Sequence, residues 1–254
     1  MDISRQARIS LRLDELLVSR RFFASRSRAR DAVTRGAVTV DGQPAKKPGQ
    51  SVAADAEIAV DDPAQAYVSR AALKLIAGLD HFGFDPAASH AFDIGASTGG
   101  FTQVLLERGA AHVVAIDVGH GQMDAKLKAD PRVTCREGLN ARNLTLDDLD
   151  GRRPDFVVSD VSFISLRLAL PNALELAEPG SKAVLLVKPQ FEAGREAIGK
   201  GGLLKNPDDG PRMAEELCCW LDAIPGWRAL GTCPSPLEGG DGNHEYLLGG
   251  VKDR

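Results

Sequence analysis

Apolar and polar residues follow two different rhythms along this 254-residue chain. From Tyr67 onward, short and nearly unbroken apolar runs recur at residues 91–94, 113–117, 156–160 and 183–188, separated by longer amphipathic stretches. Strands covered on both faces have this pattern, which predicts a mostly parallel sheet wrapped by helices. Residues 227–232 and 245–248 predict a closing antiparallel pair of strands. The expected class is α/β, a Rossmann-like doubly wound domain.

Upstream the rhythm changes. Leu11, Leu13, Leu16 and Leu17 trace a short helical stripe, and residues 25–33 make a second amphipathic segment. Ser25 or Ser27 is placed to cap that second helix and Gly36 to close it. Residues 37–40 alternate as a strand, Asp41-Gly42 signals a tight turn, and residues 56–60 supply a further strand. Phe22 and Phe23 belong to the core of this unit. A small N-terminal α+β domain is therefore expected over residues 1–60, a Pro-containing linker over 61–66, and the α/β domain over 67–254.

Composition narrows the function classes. Hydrophobic residues at 43% and charged residues at 26% fall in the ordinary globular range. No apolar run approaches the ~18 residues needed to span a bilayer. Residues Met1 to Arg8 lack the apolar run of a secretory leader, so a cytoplasmic location is expected. Cys135, Cys218, Cys219 and Cys233 contain no C-x-x-C pair, which favours reduced thiols and no metal site. The net charge of −4 conceals an asymmetry: residues 1–60 carry 11 Lys and Arg against 7 Asp and Glu. A basic module on an acidic body points to an anionic partner for that module.

The segment from Asp93 to Thr102 leaves the first apolar strand and opens a helix. Its candidate ligand-cradling residues are Asp93, Gly95, Ala96, Ser97, Thr98, Gly99, Gly100 and Phe101. Small residues let the backbone approach a ligand, and a helix N-terminus offers unpaired N–H groups. Asp117, 22 residues beyond Gly95 at the tip of the second strand, suits ribose hydroxyls. A dinucleotide fingerprint would place glycine where Ser97 stands. Gly194 to Lys200 has P-loop spacing, but Gly201 replaces the magnesium-binding Ser or Thr and no strand directly precedes the segment. S-adenosylmethionine requires a loop around its amino-acid end and an acid on its ribose, and nothing here conflicts with it. Ser97, Asp160 and His244 also occur in the chain order of a hydrolase triad, yet Ser97 follows the domain's first strand and no oxyanion loop precedes it.

Several segments together resemble known families. Arg12-Leu13-Asp14, residues 25–30 and residues 36–42 are similar to the S4 RNA-binding domain. The resemblance implies that Arg12, Arg26, Arg28, Arg30 and Arg35 hold structured RNA through shape and phosphate contacts. Residues 67–75, 95–102, 159–165, 186–192 and 242–246 resemble the TlyA family, an S4 domain joined to an FtsJ-like methyltransferase and also labelled hemolysin. That resemblance implies S-adenosylmethionine-dependent 2′-O-methylation of ribosomal RNA or ribosomal subunits, at cytidine in the characterised members. It carries a Lys-Asp-Lys-Glu tetrad onto Lys74, Asp160, Lys188 and Glu245, and adenine contacts onto Asn140. The chain departs at Ala71 and Ala72, where many relatives have glycine, and at Leu139, where Thr commonly precedes Asn.

The residue types suit that chemistry. A ribose hydroxyl must lose its proton as it attacks a sulfonium methyl, and a neutral lysine can accept it. The expected roles are Lys188 as base, Lys74 depressing its pKa and helping to position the hydroxyl, Asp160 orienting Lys188 and facing the electropositive methyl, and Glu245 orienting a lysine or the ribose. Asp160 could instead cap a helix beginning near Ser162. Residues 194–206, rich in Gly and Lys, are expected to form a mobile loop. Two rival classes remain at this stage: a membrane-active hemolysin-like protein with no stable membrane anchor, and an inactive RNA-binding assembly factor.

Overall fold

The computed structural model describes residues 10–253; Arg5, Arg8 and the region considered for a leader lie outside the described residues. The chain divides into two compact units, Met1–Gln65 and Ala66–Arg254.

The first unit contains β1 (Ser10–Arg12), α1 (Leu13–Ser19), α2 (Arg26–Thr34), β2 (Val38–Val40), β3 (Gln43–Pro44), β4 (Ser51–Ala53) and β5 (Ile58–Val60). β1 pairs with β4, and β2 lies between β3 and β5. Leu13, Leu16, Leu17, Phe23, Ala29 and Val33 close a small core, with Phe22 partly buried against it. Ser25 caps α2, its Oγ accepting the Arg28 N–H. Asp41 and Gly42 both take positive φ, 48° and 75°, as a two-residue type I′ hairpin turn requires. The segment expected as a linker is fastened to this unit: Asp61 donates its backbone N–H to Ala37, and Asp62 pairs with Arg35 at 2.7 Å.

The second unit contains α3 (Ala72–Phe82), β6 (His90–Ile94), α4 (Gly100–Glu107), β7 (His112–Asp117), α5 (Ala125–Lys128), β8 (Val133–Glu137) and β9 (Phe156–Ser159). It continues with α6 (Leu166–Ala169), α7 (Pro171–Leu176), β10 (Lys182–Val187), α8 (Pro189–Glu192), α9 (Asp209–Asp222), β11 (Trp227–Pro234) and β12 (Tyr246–Lys252). One 7-stranded sheet runs in the order β11-β12-β10-β9-β6-β7-β8. β10, β9, β6, β7 and β8 are mutually parallel, and β12 runs antiparallel between β10 and β11. An apolar core covers each face of this doubly wound sheet.

Three features of this topology position the site. Chain order reverses between β6 and β9, the switch point where open α/β sheets bind ligands. Ile94 and Ser159 are in register there, so the loops after both strands start side by side. β12 is antiparallel, and Tyr246 opposes Val187; the start of β12 therefore lies at the carboxyl end of β10, beside Lys188. α3 lies close on the sheet because Gly78 has no side chain: a Cβ there would sit 2.7 Å from Val184 Cγ1. Lys74 is one helical turn from that contact.

Residues 194–206 are not the open loop that their composition predicts. Ile198 bridges to Leu204, Asn243 Oδ1 accepts the Leu204 N–H at 3.1 Å, and Asn243 Nδ2 donates to the Gly202 carbonyl at 2.9 Å. One buried asparagine supplies the tertiary partners that glycine-rich composition does not reveal.

At the end of the sheet opposite the site, the buried Lys252 ammonium donates to the carbonyls of Leu174, Glu175 and Ala177 at 2.9, 3.0 and 2.7 Å. It ties β12 to the C-terminal end of α7, whose last carbonyls have no helical partner. Lys252→Met, which keeps the apolar stem, should lower unfolding free energy by about 2–3 kcal/mol in denaturant titrations. An unchanged midpoint would show that water replaces the ammonium without cost.

Candidate active site

The carboxyl ends of β6, β7, β8 and β9 surround a cavity of about 460 Å³, lined by Gly95, Ser97, Asp117, Asn140, Asp160 and Phe163 among others. A smaller cavity of about 160 Å³ adjoins it, lined by Ala96, Thr98, Gly100, Phe101, Ser69 and Lys188 among others. The two share Gly95, Ser97, Asp160 and Ser162. Gly95 has φ of +83°, and a Cβ there would approach the Asp160 carbonyl oxygen to 2.9 Å. A residue without a side chain is what allows the loop after β6 to pass the end of β9.

Asp160 and Lys188 line the smaller cavity, whereas Lys74 and Glu245 line neither cavity and stand within electrostatic reach of that pair. Lys188 Nζ lies 2.6 Å from Asp160 Oδ1. Lys74 and Glu245 form a second ion pair, from α3 and the approach to β12. Lys74, Lys188 and Glu245 are 5%, 8% and 4% exposed, so both pairs act in a poorly screened setting. Burial raises the Glu245 carboxyl above the usual range; Lys74 and then Lys188 oppose that shift, and Asp160 adds to it. The charge on Glu245 therefore responds to all three other members, so the four form one electrostatic unit.

The FtsJ-like methyltransferase family matches residues 67–252, and the S4 domain matches residues 11–58. A 16S/23S rRNA (cytidine-2′-O)-methyltransferase, TlyA of Mycobacterium tuberculosis, is 44% identical over 93% of this chain and 88% of its own length. Hemolysin A of Brachyspira hyodysenteriae is 37% identical over 93% of this chain and 98% of its own. A solved structure of a protein named as a hemolysin, from Streptococcus thermophilus, superposes with a TM-score of 0.73 at 38% identity, covering 97% of this chain and 90% of that one. The chain belongs to the TlyA family of S4-linked, FtsJ-like methyltransferases.

Within this FtsJ-like domain, the residues expected to cradle a ligand take two different roles. Gly95, Ala96, Ser97, Thr98, Gly100, Phe101, Asp117, Asn140 and Asp160 line one or both cavities. Asp93 and Gly99 are not among the lining residues. Gly99 caps α4 in the left-handed conformation. Asp93 is fully buried, with Oδ2 accepting the Thr102 hydroxyl at 2.6 Å and Oδ1 left without a partner. Asp117 braces the loop, accepting the Ser97 N–H at 2.8 Å and the Gly119 N–H at 2.7 Å. Asn140 Oδ1 accepts the Arg142 N–H, starting a short turn.

The helix-cap alternative for Asp160 is corrected. Asp160 caps no helix; Ser165 and Glu192 cap α6, which begins at Leu166. Ser97 contacts Gln122 at 3.1 Å, whereas His244 stands 3.7 Å from Glu238, so no hydrolase triad forms. The Gly194 segment follows α8, not a strand. Among the described residues no group of three or more His, Cys, Asp or Glu could hold a metal. No described helix is long and apolar enough to cross a membrane.

Sequence reasoning did not assign Ser69, Val118, Gly119, Gln122, Ser162 or Phe163 to the cavities. Ser162 and Phe163 adjoin Asp160, and that adjacency was the available signal. In the S4 unit, the basic residues are unequal. Arg12 and Arg26 both reach the buried carboxylate of Asp14 at 3.0 Å, and Arg26 reaches Glu15 as well. The Arg12 hydrogen bond holds the Asp14 carboxyl below its usual range. Arg28 donates to the Ala64 carbonyl at 3.3 Å, and Arg30 is exposed. Arg35 is 14% exposed against Asp62, which makes it a structural tie rather than a presented cation.

Asp93 yields a pH test. Burial pushes its carboxyl up from 3.8 to about 7, against the Thr102 hydrogen bond and with help from the charges of Asp160 and Asp117. The folded state therefore binds this proton more tightly than the unfolded chain. The contribution of Asp93 to stability falls as pH rises from about 4 to about 7, and is level above that, by a few kcal/mol in order of magnitude. Asp93→Asn should flatten that slope in denaturant titrations at pH 5 and pH 8, gaining on the parent at pH 8. An identical slope in both proteins would show that Asp93 is not the group responsible.

Proposed function

We propose that this protein transfers a methyl group from S-adenosylmethionine to a ribose 2′-hydroxyl of ribosomal RNA, at a cytidine. The observation that carries this reading is the Lys188–Asp160 pair on the wall of the smaller switch-point cavity, with the Lys74–Glu245 pair behind it. Cytidine is supported by the 44% identity to a relative named for that reaction.

S-adenosylmethionine fits the residues present. The cavity volume is in the range of cofactor sites. The side-chain-free cradle at Gly95 admits a ligand's amino-acid end, Asp117 stands at the strand tip for ribose hydroxyls, and Asn140 would serve the base. When bound, the group supplies a methyl on a positively charged sulfur, a leaving group that needs no metal.

The chain's own residues do the remainder. Lys188, in its neutral form, accepts the proton from the 2′-hydroxyl as the oxygen attacks. Asp160 stabilises the ammonium that forms and presents negative charge to the crevice. The Lys74–Glu245 pair fixes the second lysine, whose ammonium attracts the developing alkoxide. Burial of both pairs keeps these charges strong at the reacting atoms.

In this reading residues 1–60 form the RNA-binding module, with Arg12, Arg26, Arg28 and Arg30 towards RNA, and residues 67–254 form the catalyst acting on ribosomal subunits in the cytoplasm. Lys188→Ala should abolish tritiated-methyl transfer to ribosomal subunits, a loss of at least roughly 100-fold. Calorimetric affinity for S-adenosylhomocysteine should stay within about twofold. Retained transfer would remove Lys188 as the base. Leakage of dye-loaded vesicles with no methyl transfer would favour the hemolysin name instead.

A further inference from the structure

Ser162 contributes a contact that neither ion pair provides. Lys188 Nζ donates to Ser162 Oγ at 2.7 Å. Asp160 Oδ1, although 2.6 Å from the same nitrogen, is buried and receives no aligned hydrogen bond. Asp160 thus attracts the ammonium by charge, while Ser162 gives it direction. The distinction matters because a neutral amine has two N–H bonds and one lone pair. Rotation about Cε–Nζ decides whether that lone pair faces the substrate or the protein.

The segment bearing Ser162 is itself gripped at a second point. Lys188 immediately precedes α8, and Glu192 ends it four residues later. Glu192 Oε2 accepts the Ser165 hydroxyl at 2.6 Å, and Oε1 accepts the Leu166 N–H at 2.7 Å. Between the two grips, Phe163 takes φ of +66°, a left-handed conformation that a bulky residue adopts only when its surroundings hold it there. One helical turn therefore holds the 162–166 segment at both ends, Lys188 at Ser162 and Glu192 at Ser165 and Leu166.

We propose that Ser162 is a positioning residue for Lys188, and that Glu192 acts behind it by clamping the turn that carries Ser162. The role rests on Lys188 being the proton acceptor, as assigned above. Ser162 fixes the Nζ orientation, and Glu192 fixes Ser162.

The test uses the full chain, isolated ribosomal subunits and tritiated S-adenosylmethionine. Ser162→Ala should lower kcat at least roughly tenfold while KM for the subunits stays within about twofold. Affinity for S-adenosylhomocysteine and the melting midpoint should match the parent. Ser162→Thr, which restores a hydroxyl, should recover most of the lost kcat. Glu192→Gln should lower kcat in the same direction and by less, because the amide oxygen still accepts one of the two hydrogen bonds. A parent-like kcat in Ser162→Ala would overturn the proposal. So would a loss of S-adenosylhomocysteine affinity in proportion to rate, since Ser162 would then be holding ligand. Lys188→Ala in the same assay separates the two levels. If it stays active, the catalytic assignment fails. If it is inactive while Ser162→Ala is not, only the positioning role fails.

Discussion

A lysine ammonium set against a carboxylate at the point where a parallel sheet reverses its strand order is the constraint on which the rest of this molecule depends. Asp160 comes from the end of β9 and Lys188 from the end of β10, two neighbouring parallel strands. The backbone that carries both charges is fixed by the sheet core, where Val158, Leu185 and Val187 are completely buried. Burying such a pair costs desolvation that its mutual attraction only partly offsets, so it adds little to stability. The pair is intelligible as chemistry held in place by the fold.

Two further features complete that arrangement. The antiparallel entry of β12 brings Glu245 to the same end of the sheet as Lys188, although 57 residues of chain separate them. The missing side chain at Gly78 lets α3 lie against Val184 and Leu247, which carries Lys74 to Glu245. The four side chains thus reach one place by three independent packing solutions: parallel pairing, antiparallel insertion and a close helix–sheet contact.

The parts of the fold written as apolar runs were legible in the sequence, because a strand covered on both faces has no polar alternative. β6, β7, β9 and β10 fall in this group, and so does the Asp41-Gly42 turn, where a positive φ is needed at both positions. β8 was not legible: Val133-Thr134-Cys135-Arg136-Glu137 is a half-buried edge strand whose polar residues mask its pairing with β7. The tetrad's identity came through family resemblance, since nothing in the spacing of Lys74, Asp160, Lys188 and Glu245 shows that they meet. The fastening of residues 194–206 by Asn243 and the tie between Arg35 and Asp62 were hidden for the same reason. Each depends on one partner far away or outside the local pattern, and local composition carries no record of it.

A charged crevice of this kind acts on a sugar oxygen and not on a base. Isolated ribosomal subunits treated with the protein and S-adenosylmethionine can be digested to nucleosides and fragments and mapped by mass spectrometry. The expected result is a new methyl group on the ribose of a cytidine, with the base mass unchanged. A methyl group on a base nitrogen or carbon, or ribosomal RNA recovered unmodified, would contradict it.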